Sequence, residues 1–421
     1  MIIGEYIKNT SRIAVKYAVA FFKWLGFGLL IGVLCGLIGA AFHYAVDGVT
    51  VFRNEHKWVL LLLPFLCLVT VAVYKLCRVS GVGTDDVLES VRDKKGVSPL
   101  LAPAVFMGSV ITHLVGGSAG REGAALQLGG SVASLVSRTF KLEDKTRHIV
   151  TMCGMAAVFS AVFGTPVCAC IFALEVTSVG RFRSGAFFPT LVSSVTASFT
   201  AKLLGVKAHP LNVDFVPQVN GLNVVKLGAI VIAGALVSML FCLALRISEK
   251  LFSSIAPNPY LRIMLGGGVI LLLTLLLRTT DYNGSGMEGI VSIFEGDQVV
   301  FYAFLLKIIF TAITVGSGFK GGEIIPALFT GAALGCALGG ILGIDTVFGA
   351  AIGMAALFSG VTNCPIATVI LCVELFGGEG IVFYAVSAVT SFLLSGYTGL
   401  YTSQKLLFSK TDDSDIERNA G

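Results

Sequence analysis

Charge is scarce in this chain. Only 13% of its residues are Asp, Glu, Lys or Arg, against 55% hydrophobic, and the mean hydropathy is +0.87, which leaves little sequence for a soluble domain. Proline is scarce as well, 11 residues against 50 glycines, a balance that suits helices packed backbone to backbone. The ten cysteines contain no CxxC pair and sit mostly in apolar runs, as Cys153, Cys168, Cys170, Cys364 and Cys372 do. That placement fits small buried hydrophobes and excludes the usual patterns of metal binding, disulfides and redox chemistry. His113 has no second histidine at helical spacing, so no metal is expected there, and no cofactor is expected anywhere. The first long apolar run is too long for a signal peptide and no A-x-A cleavage site follows it. The formal charge of +5 is spread over loops, which argues for membrane topology and against a nucleic-acid partner.

What is present is a succession of apolar segments from near residue 20 to near residue 408. A bilayer core of roughly 30 Å takes about 20 apolar residues per helical span, and around ten to twelve segments qualify as candidates. Clear ones run over Phe21 to Val46, Trp58 to Cys77, Val224 to Ile247, Ile263 to Leu277 and Phe301 to Val315. The regions 100–130 and 316–344 are short or laced with glycine. They read as broken or re-entrant helices, which must be buried in protein because lipid cannot satisfy their backbone. Lys8, Arg12, Lys16 and Lys23 place the N-terminus in the cytoplasm by the positive-inside rule. The tail after Tyr401, with Lys405, Lys410 and Arg418 mixed among Asp412, Asp413, Asp415 and Glu417, is expected on the same side.

The chain repeats itself. Gly154 to Glu175, GMAAVFSAVFGTPVCACIFALE, returns without a gap as Gly353 to Glu374, GMAALFSGVTNCPIATVILCVE, with ten of 22 positions identical. Each copy follows a glycine-rich segment carrying a lone glutamate, GGSAGREGAALQLGG with Glu122 and GSGFKGGEIIPALFTGAALG with Glu323. Paired, glycine-broken segments in two related halves point to a transporter whose site lies between the repeats. A polar stretch over 207–223, with Pro210 and Pro217, divides the halves. The expected organisation is one membrane domain over 1–421, with repeats of about 1–215 and 216–421 and no C-terminal regulatory domain. The parity of crossings between the halves leaves parallel and inverted repeats open.

Gly120-Arg121-Glu122-Gly123 puts charge inside an apolar context and runs on into a helix-like stretch, and Gly318-Phe319-Lys320-Gly321-Gly322-Glu323 repeats its order. Intramembrane charge is costly and by default marks a functional site. Each glutamate would sit near the start of a half-helix, where free N–H groups and the aligned peptide dipoles favour anions. Glycine lets that backbone come close. A glutamate carboxylate in such a place occupies the anion position when ionised and vacates it when protonated, which links proton uptake to anion passage.

At these residues the chain resembles the CLC family of anion channels and proton-coupled antiporters, over about Lys23 to Tyr401. Gly120-Arg121-Glu122-Gly123 is similar to the family's G-R/K-E-G-P, whose glutamate is external gate and proton acceptor, with Ala124 in place of the proline. Gly321-Gly322-Glu323-Ile324-Ile325-Pro326 falls where the family has G-G-x-F-x-P, whose amides bind the anion. Gly81-Val82-Gly83-Thr84-Asp85-Asp86 falls at G-S-G-x-P-E, and Tyr401 resembles the tyrosine whose hydroxyl contacts the central anion. The resemblance implies an all-α polytopic fold of two structurally related, inverted repeats, and a homodimer with one pore per subunit in the plasma membrane. It makes Glu122 and Glu323 the gating and proton-transfer residues. Gly120, Arg121, Gly123, Val82, Gly322, Ile324, Ile325 and Tyr401 line the anion path. Partners are then a halide, protons and the lipid bilayer.

The departures bear on the ion. Val82 removes the serine hydroxyl and Glu323 brings a carboxylate where chloride-selective members have an apolar residue, both similar to the fluoride-exporting branch. That branch usually has asparagine or methionine at the Val82 position and often threonine near Ile325, and this chain has neither. Fluoride is favoured slightly over chloride. Val176 stands where chloride antiporters carry an inner glutamate, so either Glu323 supplies the proton relay or the protein is an uncoupled chloride channel.

Blander readings accompany several residues. Glu175 and Glu374 are expected as structural groups, pairing with a neighbour such as Arg181 or Arg183. Arg121 either attracts anions, the favoured reading, or neutralises a lipid phosphate, and Lys320 has the same two options. His113 is expected as a hydrogen-bonded packing residue, and Thr84-Asp85-Asp86 as a helix cap. Gly116-Gly117-Ser118-Ala119-Gly120 has the G-x-S-x-G spacing of hydrolases, so an intramembrane serine protease is the remote alternative. No enzyme activity is expected.

Overall fold

The long apolar runs become helices, and the glycine-laced runs become pairs of shorter ones. In the computed structural model, which describes residues 2–93, 96–207, 211–412 and 414–420, the chain forms α1 (Ile2–Glu55), α2 (Leu63–Leu76), α3 (Thr84–Ser90) and α4 (Leu101–Leu114). There follow α5 (Glu122–Thr139), α6 (Asp144–Phe163), α7 (Pro166–Glu175), a short β1 (Ser178–Val179) and α8 (Ser184–Leu203). The second half holds α9 (Gly221–Ile255), α10 (Pro259–Leu277), α11 (Met287–Phe294) and α12 (Ala303–Gly316). It ends with α13 (Ile324–Leu342), α14 (Thr346–Thr362), α15 (Pro365–Phe376), α16 (Ile381–Leu394), β2 (Lys405–Phe408) and β3 (Asp415–Asn419). Pro210, Asp413 and the Lys8 side chain, named above as loop and charge markers, lie outside the described residues. Among the described residues six helices are long and apolar enough to cross a membrane, and six shorter ones of 10–17 residues are apolar too. The breaks fall at 115–121 and 317–323, inside the two regions read as interrupted.

The repeat is structural. α5 lies against α6 and α13 against α14, and glycine sets the separation in both pairs. A Cβ on Gly129 would strike the carbonyl of Gly154, and one on Gly353 would strike the carbonyl of Gly331. Gly32 on α1 makes the same kind of contact with Thr196 of α8, where an added Cβ would come within 2.6 Å. Such close approach lets dispersion act without a hydrophobic driving force, which lipid does not supply. The kink between α6 and α7 recurs as well. Gly164 is left-handed at φ 78° and Asn363 at φ 56°, each two residues before the proline that opens the next short helix.

Those short helices run antiparallel and cap each other. The Glu374 carboxylate, at the end of α15, accepts from the N–H groups of Val167 (2.9 Å) and Cys168 (2.8 Å) at the start of α7. Glu175, at the end of α7, accepts from those of Ile366 (3.2 Å) and Ala367 (2.8 Å) at the start of α15. The glutamates are structural, but their partners are the opposite repeat's free amides and not the expected arginines. Arg183 instead donates to the Val91 carbonyl at 3.2 Å. Equivalent helices that exchange ends are related by a twofold axis across them, which is the relation an inverted repeat requires.

The tail departs from a purely helical reading. β2 pairs parallel with β1, Ser178 opposite Lys405, and antiparallel with β3, Leu406 opposite Arg418. The ten cysteines are all free, and all but Cys77 are buried.

Candidate anion pathway

The site begins where the two breaks meet. Gly120 and Gly322 form an antiparallel bridge, with each N–H donating to the other's carbonyl at 2.6 Å. Only glycine fits. A Cβ on Gly322 would press into the backbone N of Gly123, and one on Gly321 would come within 2.5 Å of the Ala119 methyl. The bridge consumes the amides of Gly120 and Gly322, so these two hold the loops together and have no N–H free for an anion. α5 starts at Glu122 and α13 at Ile324, so the first N–H groups of both helices lack intrahelical partners. Pro326 in the first turn of α13 has no N–H to leave unpaired.

Glu122 sits on that focus of amides. Its residue is 1% exposed, its Oε2 accepts from the Arg121 N–H at 3.0 Å, and a Cβ on Gly120 would meet both this Oε2 and the side chain of Ile325, at the start of α13. A negative oxygen is therefore held by an amide of the first break, beside the point where the second half-helix starts. Oε1 has no partner and lies 3.9 Å from Arg121 Nε.

The Arg121 guanidinium turns away toward α1. It donates to Asp47 Oδ1 and to His43 Nδ1, both at 2.9 Å. Because a guanidinium only donates, His43 Nδ1 accepts and its proton sits on Nε2, which meets Asp47 Oδ2 at 3.0 Å. The Arg121 backbone N–H thus faces Glu122, while its charge is offset by Asp47. The sequence reading missed His43 and Asp47, although a histidine and an aspartate one turn apart inside an apolar helix are a legible signal.

On the other face of the bridge lies a cavity of about 400 Å³, lined by Val82, Gln127, Glu323, Tyr401 and the cations Arg246 and Lys320 among others. Glu323 is half-buried and stands at the N-cap position of α13 without a side-chain capping bond, and an added Cβ on Gly123 would lie 3.4 Å from its Oε2. Tyr401 is 3% exposed and its hydroxyl has no protein partner, so a buried donor is left for a ligand. Val82 brings an apolar side chain only, since its N–H already donates to the Val79 carbonyl at 3.1 Å. Lys320 Nζ lies over the Tyr74 ring, 4.6 Å from its centroid.

Asp85 was legible only as a cap. Asp86 does that work, accepting from the Gly83 N–H at 2.7 Å. Asp85 holds the Tyr401 segment in place. Its Oδ1 accepts from the Ser403 N–H (3.0 Å) and hydroxyl (2.8 Å), and its Oδ2 from the Thr402 hydroxyl (2.8 Å).

His113 packs as expected, with Nδ1 at 2.8 Å from the Ser109 carbonyl. The hydroxyl of Ser118 pairs with Thr311 Oγ1 at 3.1 Å rather than with an imidazole, so the hydrolase-like spacing gains no dyad.

The family model for the voltage gated chloride channel matches residues 65–396. The chain belongs to the CLC family. Among CLC proteins it is 34% identical over 396 residues to the chloride/fluoride channel protein of Pseudomonas syringae pv. tomato, across 92% of this chain and 87% of that one. It is 26% identical over 389 residues to the H(+)/Cl(-) exchange transporter ClcA of Vibrio cholerae, across 84% and 82%. The crystal structure of a CLC-type fluoride/proton antiporter superposes with a TM-score of 0.89 at 30% identity, covering 92% of this chain and 98% of that one. A slow cyanobacterial Cl-/H+ antiporter shares the fold alone, with a TM-score of 0.75 at 19% identity over 88% and 94%. These relatives carry the names of channels and transporters. The chain is an all-α polytopic CLC membrane protein of two related repeats.

Proposed function

We propose that this CLC protein exchanges a halide for protons across the membrane, with fluoride favoured over chloride. The observation that carries the proposal is the buried Glu122 carboxylate, held by the Arg121 amide where the starts of the two half-helices meet. A group of that charge marks where a dehydrated anion finds replacement hydrogen bonds. Protonation weakens the carboxylate's hold on the amides and frees the position, so each anion that enters is tied to a proton that Glu122 takes up. Glu122 is gate and proton acceptor. The amides of Arg121, Gly123, Ile324 and Ile325 and the Tyr401 hydroxyl line the path, while Gly120 and Gly322 fix its geometry.

Glu323 takes the relay role that the buried Val176 cannot fill. Its carboxylate faces the 400 Å³ cavity, where it exchanges protons with water and, when protonated, donates to an anion instead of repelling it. A halide that accepts hydrogen bonds strongly gains most from a carboxyl donor, which favours fluoride. The names of the Pseudomonas syringae relative and of the solved fluoride/proton antiporter accord with that choice.

The cellular setting follows the same reading. The chain is one domain whose repeats meet near residue 215, it pairs with a second copy in the plasma membrane, and both termini face the cytoplasm, on the side of Lys16, Lys23, Lys405 and Lys410. The test is flux from proteoliposomes, fluoride against chloride, with pH recorded. Fluoride-driven proton movement supports exchange, whereas chloride flux without proton movement identifies an uncoupled chloride channel.

A further inference from the structure

We propose that the cavity between α2 and α10 is a binding site for an acidic phospholipid, whose phosphate sits on Lys75, Arg262 and Lys320. The cavity measures about 690 Å³, larger than the 400 Å³ chamber beside Glu323 and within the size of ligand pockets generally. Its only charged lining residues, among those described, are these three cations, and no carboxylate faces it. Glu249, Asp86 and Glu323 line the neighbouring chamber instead.

Unused polar groups surround the cations. Thr70 Oγ1 and Tyr74 Oη are buried without partners, and so is Arg262 Nε. Thr70 is 1% exposed and Tyr74 4%, so each withholds a hydrogen bond that a phosphate or glycerol oxygen would complete.

The position selects a lipid over a soluble anion. α2 ends at Leu76 and α10 begins at Pro259, so the cavity lies at the level where two apolar helices reach the headgroups. Beside it Val69 and Leu76 on α2 and Leu261 and Leu265 on α10 are exposed, which makes its outer wall continuous with the lipid-facing surface. Val71 and Ile263 give it an apolar interior. Basic pockets between membrane helices at headgroup depth suit acidic lipid headgroups, and an acyl chain follows the apolar wall.

The site also touches the anion path. Arg262, Lys320, Gly81 and Gly318 line both spaces, so a phosphate on one side of Lys320 and Arg262 reduces the positive field they present to anions on the other.

The test uses the purified full chain, delipidated in detergent and titrated with phosphatidylglycerol or phosphatidylcholine. Bound lipid is counted by native mass spectrometry, a readout independent of whether the chain moves halide. Phosphatidylglycerol should be retained about tenfold better than phosphatidylcholine. Lys75→Glu, on an exposed position of α2, should lose about tenfold of that preference, while Lys250→Glu at the exposed end of α9 should keep it. Lys75→Gln, a milder change, should lose part of it. Equal retention of both lipids, or an unchanged preference in both Lys75 variants, overturns the proposal. Displacement of phosphatidylglycerol by millimolar inorganic phosphate would reassign the cavity to a soluble anion and overturns it equally.

Discussion

Glu122 and Glu323 flank the same glycine contact yet answer to different surroundings. Glu122 is sealed and held by the Arg121 amide, whereas Glu323 is half-buried beside a polar cavity. Glu122→Gln keeps the shape and removes the titration, so proton movement coupled to fluoride in liposomes should fall at least about tenfold, a barrier change of about 1.4 kcal/mol. The sign of the pH dependence follows from the same role. Acidification protonates Glu122 and releases the amides, so wild-type anion flux should rise as pH falls, and the glutamine variant should lose that response. Glu323→Ala should lower fluoride-coupled proton flux while the protein stays folded, because its carboxylate already meets water. Tyr401→Phe removes a hydroxyl that no protein group uses. Its melting temperature should hold, and its anion affinity, read by isothermal titration calorimetry with fluoride, should drop by about threefold to tenfold.

At the scale of elements, the reciprocal caps of α7 and α15 are the feature most exposed to test. Glu374→Ala leaves the N–H groups of Val167 and Cys168 without acceptors, at a cost of about 1–3 kcal/mol, and thermal unfolding in detergent should show a lower midpoint. An unchanged midpoint would mean that these bonds contribute nothing. The duplication itself was plain in the sequence, because ten of 22 positions coincide, and so were the helix breaks, because glycine and lone charge interrupt otherwise apolar runs. The capping partners were not legible. Glu175 reaches an amide 191 positions away, and nothing local distinguishes that acceptor from one awaiting an arginine. The hold of Asp85 on Thr402 and Ser403 was hidden for the same reason. Gly120 and Gly322 were legible as close-approach glycines, but that their amides meet each other depends on how two distant loops dock. β2 and β3 escaped notice because their residues alternate charge and short apolar pairs too briefly to set a strand period.

At the scale of the molecule, an inverted pair of broken helices places two amide-rich ends at one point, and the rest of the fold serves to bury that point. Glycine contacts at Gly129, Gly154, Gly331 and Gly353 bring the supporting helices close enough to keep lipid and water out. In the proposed exchange a halide and a proton share this point through Glu122. Wild-type and Glu122→Gln protein, each reconstituted in liposomes with an outward fluoride or chloride gradient while pH is recorded, decide whether they do. Fluoride efflux should drive protons inward in the wild type, more strongly than chloride does, and proton movement in the variant should be at least about tenfold lower with either ion. Equal proton movement in wild type and variant, or halide flux in the wild type that leaves pH unchanged, would contradict the proposed exchange.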